Sequence, residues 1–157
     1  MYNVELVTSR SETDCGVACM AMLLKYYGIE VPYDQLLEEL KCGVGGCSGA
    51  DLLRVGRLHG MDMKAFRMDA DELRRQDRPG IIWWSYTHWV VMCGMDDKGN
   101  VVIANPNIGR FGIDVESFSK LYTDVCLFNG DPETLPEDET ATASDYEEAL
   151  EQLGVSL

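Results

Sequence analysis

Basic residues are scarce in this chain of 157 residues, where 13 Lys and Arg stand against 27 Asp and Glu for a formal net charge of -14. An acidic surface disfavours nucleic acid and anionic membranes, because both are held by clustered cations. Long apolar runs are also lacking, and none reaches the roughly 20 residues needed to cross a bilayer. Met1 to Arg10 has neither the basic start nor the apolar stretch of a secretion signal. These absences lead to the expectation of a soluble, cytoplasmic protein.

Histidine is nearly absent as well: His59 and His88 are the two in the sequence. Imidazole chemistry therefore has two candidates. Cys42 and Cys47 bracket a Gly-rich loop but have no second close pair, so no metal site is expected. Gly43, Gly45, Gly46 and Gly49 do not match a phosphate loop, since no Lys-Ser or Lys-Thr follows. No cofactor is expected. The 6 cysteines, in a chain without an export signal, are expected to be reduced thiols.

Length fits one domain, placed at residues 1–130. The segment 131–157 carries nine acidic residues and no Lys or Arg. It reads as an acidic linker over 132–144 and one short helix over 146–153.

Within the domain, apolar residues at three- and four-residue spacing predict a helix from Asp14 to Tyr27, capped by Asp14 or Thr13 and ended by Gly28. A second helix is expected from Pro32 to Lys41 and a third from Ala50 to His59, with Leu58 on its inner face. Gly43 to Gly49 reads as a flexible loop. A short edge strand over 61–67 and a helical turn to Gln76 follow. After Pro79 the pattern turns to period two and to aromatic or β-branched residues, predicting strands at 81–84, 89–95, 101–104, 111–115 and 125–128, with a helix at 116–122. The fold class is α+β: an N-terminal helical half packed on a C-terminal antiparallel sheet, with the cleft between them.

The chemistry centres on Cys15. A thiol in the first turn of a helix meets unpaired amide N–H groups and a partial positive charge, which favour thiolate and supply donors for an oxyanion. A cysteine nucleophile also needs a base and a group that orients it. His88 opens an apolar strand and Asn105 ends the next one, so a hairpin can bring them to one sheet edge. His59, at a helix end before Gly60, reads as structural, and Cys19 as core. Trp84 and Trp89 read as sheet packing that can also grip a peptide at the cleft rim.

Several segments together look like one family. Asp14-Cys15-Gly16-Val17-Ala18-Cys19, Tyr26-Tyr27-Gly28, Gly46-Cys47-Ser48, Pro79-Gly80-Ile81-Ile82, His88-Trp89-Val90-Val91, Asn105-Pro106-Asn107-Ile108-Gly109 and Glu116-Ser117-Phe118 resemble the double-glycine leader peptidases. These are the papain-like domains at the front of peptidase-containing bacteriocin ABC transporters. The resemblance runs from about Val7 to Phe128. It implies a papain-like fold, with Cys15 as nucleophile, His88 as base and Asn105 as orienter.

The resemblance also implies cleavage after a Gly-Gly or Gly-Ala junction of a ribosomal precursor peptide. The partners implied are a precursor with a helical leader and ABC transporter membrane and ATPase domains, in cis or in trans, at the cytoplasmic face of the membrane. Two positions depart from the family. Ser9 stands where it has the Gln that donates to the oxyanion, leaving the Ser9 hydroxyl and the Cys15 backbone N–H for that role. Asn105 stands where it usually has Asp. The alternatives are a weakened peptidase-like domain that binds leader or cargo peptide, and a papain-like peptidase with another target.

Overall fold

A computed structural model describes residues 1–131. The expected acidic linker and terminal helix lie outside the described residues. The element order is α1 (Cys15–Tyr26), α2 (Tyr33–Leu40), α3 (Gly49–Leu58), β1 (Met63–Arg67), α4 (Ala70–Arg74), β2 (Gly80–Trp84), β3 (His88–Met95), β4 (Val101–Asn105), β5 (Gly109–Ile113), α5 (Val115–Leu121) and β6 (Tyr122–Asn129). Helices come first and an antiparallel sheet follows, as the change of hydrophobic period implies.

The six strands form one sheet in the order β1-β6-β2-β3-β4-β5, every pair antiparallel. β2 and β4 are buried at every residue, and β3 at all but its ends. The expected period-two alternation appears only in the outer strand β5. Central strands covered on both faces have no reason to alternate, so their residues read as continuous apolar runs.

α1 fills the middle of the molecule, packed against β3 and β2 of the sheet and against α2 and α3. Its residues Cys15 to Met20 and Met22 to Leu24 are all buried, which makes it a core helix apolar on most sides. Ser48 caps α3 by accepting the Asp51 N–H at 3.0 Å, so the helix starts at Gly49, one residue before the expected Ala50. Leu58 is 61% exposed, not inward, because α3 ends there and the chain turns at Gly60. His59 ties α3 to α2 through Glu39, Nε2 to Oε1 at 2.7 Å, in keeping with a structural role.

The cysteines differ from expectation. Cys42 and Cys47 are joined in a disulfide across a sequence separation of 5, while Cys15, Cys19, Cys93 and Cys126 are free and buried. Two residues five positions apart can meet only when the chain between them reverses, and the Gly43–Gly46 turn does this, closed by Gly46 N–H to Gly43 O at 2.9 Å. The segment read as a flexible loop is therefore a stapled one.

Candidate active site

Cys15 is the first residue of α1 and is 4% exposed. Its sulfur lies against the start of β3, where it accepts the backbone N–H of Trp89 at 3.5 Å. The residue before Trp89 is His88, half-buried at the mouth of the strand. The ring of His88 is reached from its other side by Asn105, whose Nδ2 is 3.3 Å from His88 Nε2. The Nε2 atom is thus the ring nitrogen that Asn105 engages. Pairing of β3 with β4 carries both side chains to one end of the sheet, since Val91 lies opposite Ala104.

Burial sets the protonation of the pair. The Cys15 thiol is pushed above its usual range by burial, opposed by hydrogen bonds from the Trp89 and Gly16 amides and reinforced by the Asp14 charge beside it. Burial alone pushes His88 below the usual imidazole range. Both groups favour their neutral forms at rest. Cys19, fully buried one turn on, is driven much further up and behaves as core.

Asp14 occupies the N-cap position of α1 but does not cap it. Its carboxylate turns back instead, accepting Arg10 N–H at 3.0 Å, Ser11 N–H at 2.8 Å and the Tyr33 hydroxyl at 2.7 Å. Burial would raise its pKa, but these hydrogen bonds outweigh it and hold the carboxyl below its usual range. The chain leading into Cys15 is thereby fixed from within.

Ser9 sits at the other side of the same entry segment. Its N–H donates to Pro106 O at 3.0 Å, and its hydroxyl donates to Pro106 O and to Asn107 Oδ1. In this arrangement the hydroxyl serves the turn after Asn105. The Cys15 backbone N–H, in the first helical turn, has no carbonyl four residues back within the helix.

Trp84 and Trp89 are not rim residues. Trp89 is 1% exposed, its ring 4.6 Å from that of Trp83 and its indole N–H donated to Cys47 O at 2.9 Å. Trp84 is 7% exposed and packs on Phe118 with ring centroids 5.5 Å apart. Both lie in strands buried along their length, so their large apolar surfaces go into the core and not the cleft.

Sequence reasoning missed three features. Asn107 donates its N–H to Asn105 Oδ1 at 3.0 Å and so holds the carboxamide in place. The Asn-Pro-Asn run is turn chemistry that could have suggested such a bond. Tyr33 grips Asp14 from the start of α2, and the Cys42–Cys47 staple leans on α1. A Cβ on Gly16 would meet Cys47 Cβ at 2.7 Å and Sγ at 2.8 Å, so glycine beside Cys15 is required by close approach.

Comparison with known proteins agrees with this geometry. The model of the peptidase C39 family matches residues 3–134. The lactococcin-G-processing and transport ATP-binding protein LagD of Lactococcus lactis subsp. lactis is 32% identical over 131 residues, covering 79% of this chain and 18% of that protein. The colicin V secretion/processing ATP-binding protein CvaB of Escherichia coli is 27% identical over 124 residues, again with 79% and 18% covered. The chain thus spans under a fifth of the length of these relatives. A double glycine motif protease from an AMS/PCAT transporter, solved in complex with its leader peptide, superposes with a TM-score of 0.77 at 29% identity, over 81% of this chain and 91% of that one. The matched residues run from the N-terminal segment through β6 and take in Cys15, His88 and Asn105, and on that basis the chain belongs to the peptidase C39 family and forms a cysteine peptidase domain of papain-like fold.

Proposed function

We propose that this domain is a cysteine endopeptidase that removes the leader of a ribosomal precursor peptide by cutting after a Gly-Gly or Gly-Ala junction, in concert with export of the remaining peptide by an ABC transporter in cis or in trans. The observation that carries the reading is the meeting of α1 and β3, where the Cys15 sulfur takes the Trp89 N–H at 3.5 Å beside a histidine held by Asn105. In this reading Cys15 attacks the carbonyl carbon of the junction. His88 takes the thiol proton through Nδ1 and returns it to the leaving amine, and water then hydrolyses the acyl-enzyme. Asn105 is the positioning residue for the imidazole, and the Cys15 backbone N–H donates to the oxyanion.

Glycine at the cut follows from access. The sulfur belongs to a residue 4% exposed, and a junction of small residues brings the scissile carbonyl to it with the least obstruction. A helical leader would add affinity away from the scissile bond, energy that positions the junction. The Ser9 hydroxyl, engaged by Pro106 and Asn107, favours a second reading in which the domain binds a leader without efficient cleavage. Loss of an oxyanion donor costs on the order of a hundredfold or more in turnover.

Incubation with a synthetic precursor carrying a double-glycine junction, followed by mass spectrometry, separates the two. Cleavage after the second glycine that disappears in Cys15→Ala and His88→Ala is the expected outcome. Intact peptide that nevertheless binds the domain would establish the second reading.

A further inference from the structure

The two ends of the Asn105 side chain are chemically unlike: its oxygen can only accept and its NH2 can only donate. The oxygen is taken by the backbone N–H of Asn107 at 3.0 Å. Turning the carboxamide over would set its NH2 against that N–H, donor facing donor, at a residue only 5% exposed where water cannot easily repair the loss. The NH2 end is therefore committed to His88 Nε2, 3.3 Å away. A donor at that distance requires a lone pair on Nε2, which puts the ring proton on Nδ1.

We propose that Asn105, latched by the Asn107 N–H, holds resting His88 as the neutral Nδ1–H tautomer, so that the Cys15–His88 pair stands uncharged until the carboxamide reverses. This deepens the peptidase reading and takes the roles of Cys15 and His88 from it, though the tautomer itself needs no substrate. The latch is braced. The Asn107 side chain accepts the Ser9 hydroxyl, and Ser9 N–H donates to Pro106 O at 3.0 Å, tying the turn to the N-terminal segment.

The surroundings agree. Among the described residues burial is what acts on the imidazole and no charged group favours imidazolium, while Cys15 is faced by the Asp14 carboxylate and by the neutral thiol of Cys19. None of these groups supplies the negative charge beside the ring that would stabilise an imidazolium.

The consequence is a gate on proton transfer. An Nδ1–H ring can hydrogen-bond a thiolate but cannot take a proton from a thiol. For the thiol proton to move to Nδ1, the ring proton must first reside on Nε2 and find an acceptor there. Asn105 offers one only by giving up Asn107 and presenting its oxygen. Asn105→Asp removes the gate, because a carboxylate accepts from both N–H groups.

The test uses the whole chain labelled with 15N-histidine, without peptide. Long-range proton–nitrogen spectra distinguish the two tautomers and the imidazolium, and His59→Gln assigns the two rings. Expected is an Nδ1–H signature for His88 at neutral pH. In Asn105→Asp the ring should be doubly protonated at the same pH, with alkylation of Cys15 by iodoacetamide at mildly acid pH faster by roughly tenfold or more, as a carboxylate contact shifts a partner by about 1–3 pKa units. An Nε2–H or doubly protonated His88 in the unaltered protein overturns the proposal, whether or not Asn105→Asp folds. Failure to cut a double-glycine peptide would overturn the proposed function and leave the tautomer untouched.

Discussion

At the scale of single residues, the site is tuned by burial more than by charge. His88 lies below the ordinary imidazole value of 6.5 because its surroundings disfavour the charged ring. A base with a lowered pKa stays unprotonated further into acid. The acid limb of kcat/KM for peptide cleavage is therefore expected to fall below pH 6.5, and a limb above that value in a pH series would contradict it. Cys15 moves the other way, so its alkylation should still be rising with pH at 9.0, where an unburied thiol would be levelling off. The residues behind these shifts were partly legible. Cys15, His88 and Asn105 stood out because a helix start and two strand ends give each a place. Asp14 and Tyr33 did not, since their hydrogen bond joins residues 19 apart that only the packing of α2 on α1 brings together.

At the scale of elements, the close approach of the 42–47 staple to α1 decides how the nucleophile is supported. Gly16 costs helix stability relative to alanine, about 0.5–1 kcal/mol, and restoring alanine in an open helix would recover it. Here the added methyl would lie 2.7 Å from Cys47 Cβ and 3.3 Å from Trp89 Cδ1, which forces the staple or the indole aside. Overpacking of that kind costs about 1–3 kcal/mol and outweighs the helical gain. Gly16→Ala is accordingly expected to lower the melting temperature and to weaken cleavage more than it weakens folding, because the displaced atoms flank Cys15. An unchanged melt with full activity would show that the staple yields freely. The staple escaped the sequence reading for a physical reason: compartment and spacing bear on whether a disulfide can persist, while pairing requires that two Cα atoms come close, here 4.3 Å, which a Gly-rich turn decides. Helix starts were misjudged by one residue for a similar reason, as Asp14 turned its carboxylate to the preceding loop and Ser48 caps a helix that begins at Gly49 and not at Ala50.

At the scale of the molecule, one sheet and three principal helices share one core, whose buried apolar residues among those described run from Val4 to Phe128. The match to the peptidase C39 family likewise ends at residue 134. Truncation after Thr134 is expected to leave the melting temperature within a few degrees and cleavage of a double-glycine peptide intact, measured by circular dichroism and mass spectrometry. Loss of folding would show that residues beyond 134 belong to the domain. No helix among the described residues is long and apolar enough to cross a membrane.

The sequence by itself determined the order of elements and singled out the candidate reacting groups. Hydrophobic period and turn residues are local signals, and a thiol at a helix start with one suitable imidazole leaves little choice. The tertiary structure alone decided how those groups stand toward one another. Which end of the Asn105 carboxamide faces His88, where the Ser9 hydroxyl points and why Trp84 and Trp89 are core all depend on contacts between segments far apart in the chain. Such contacts arise from how buried polar groups are satisfied and how apolar surfaces fill space, and neither leaves a periodic mark on the sequence.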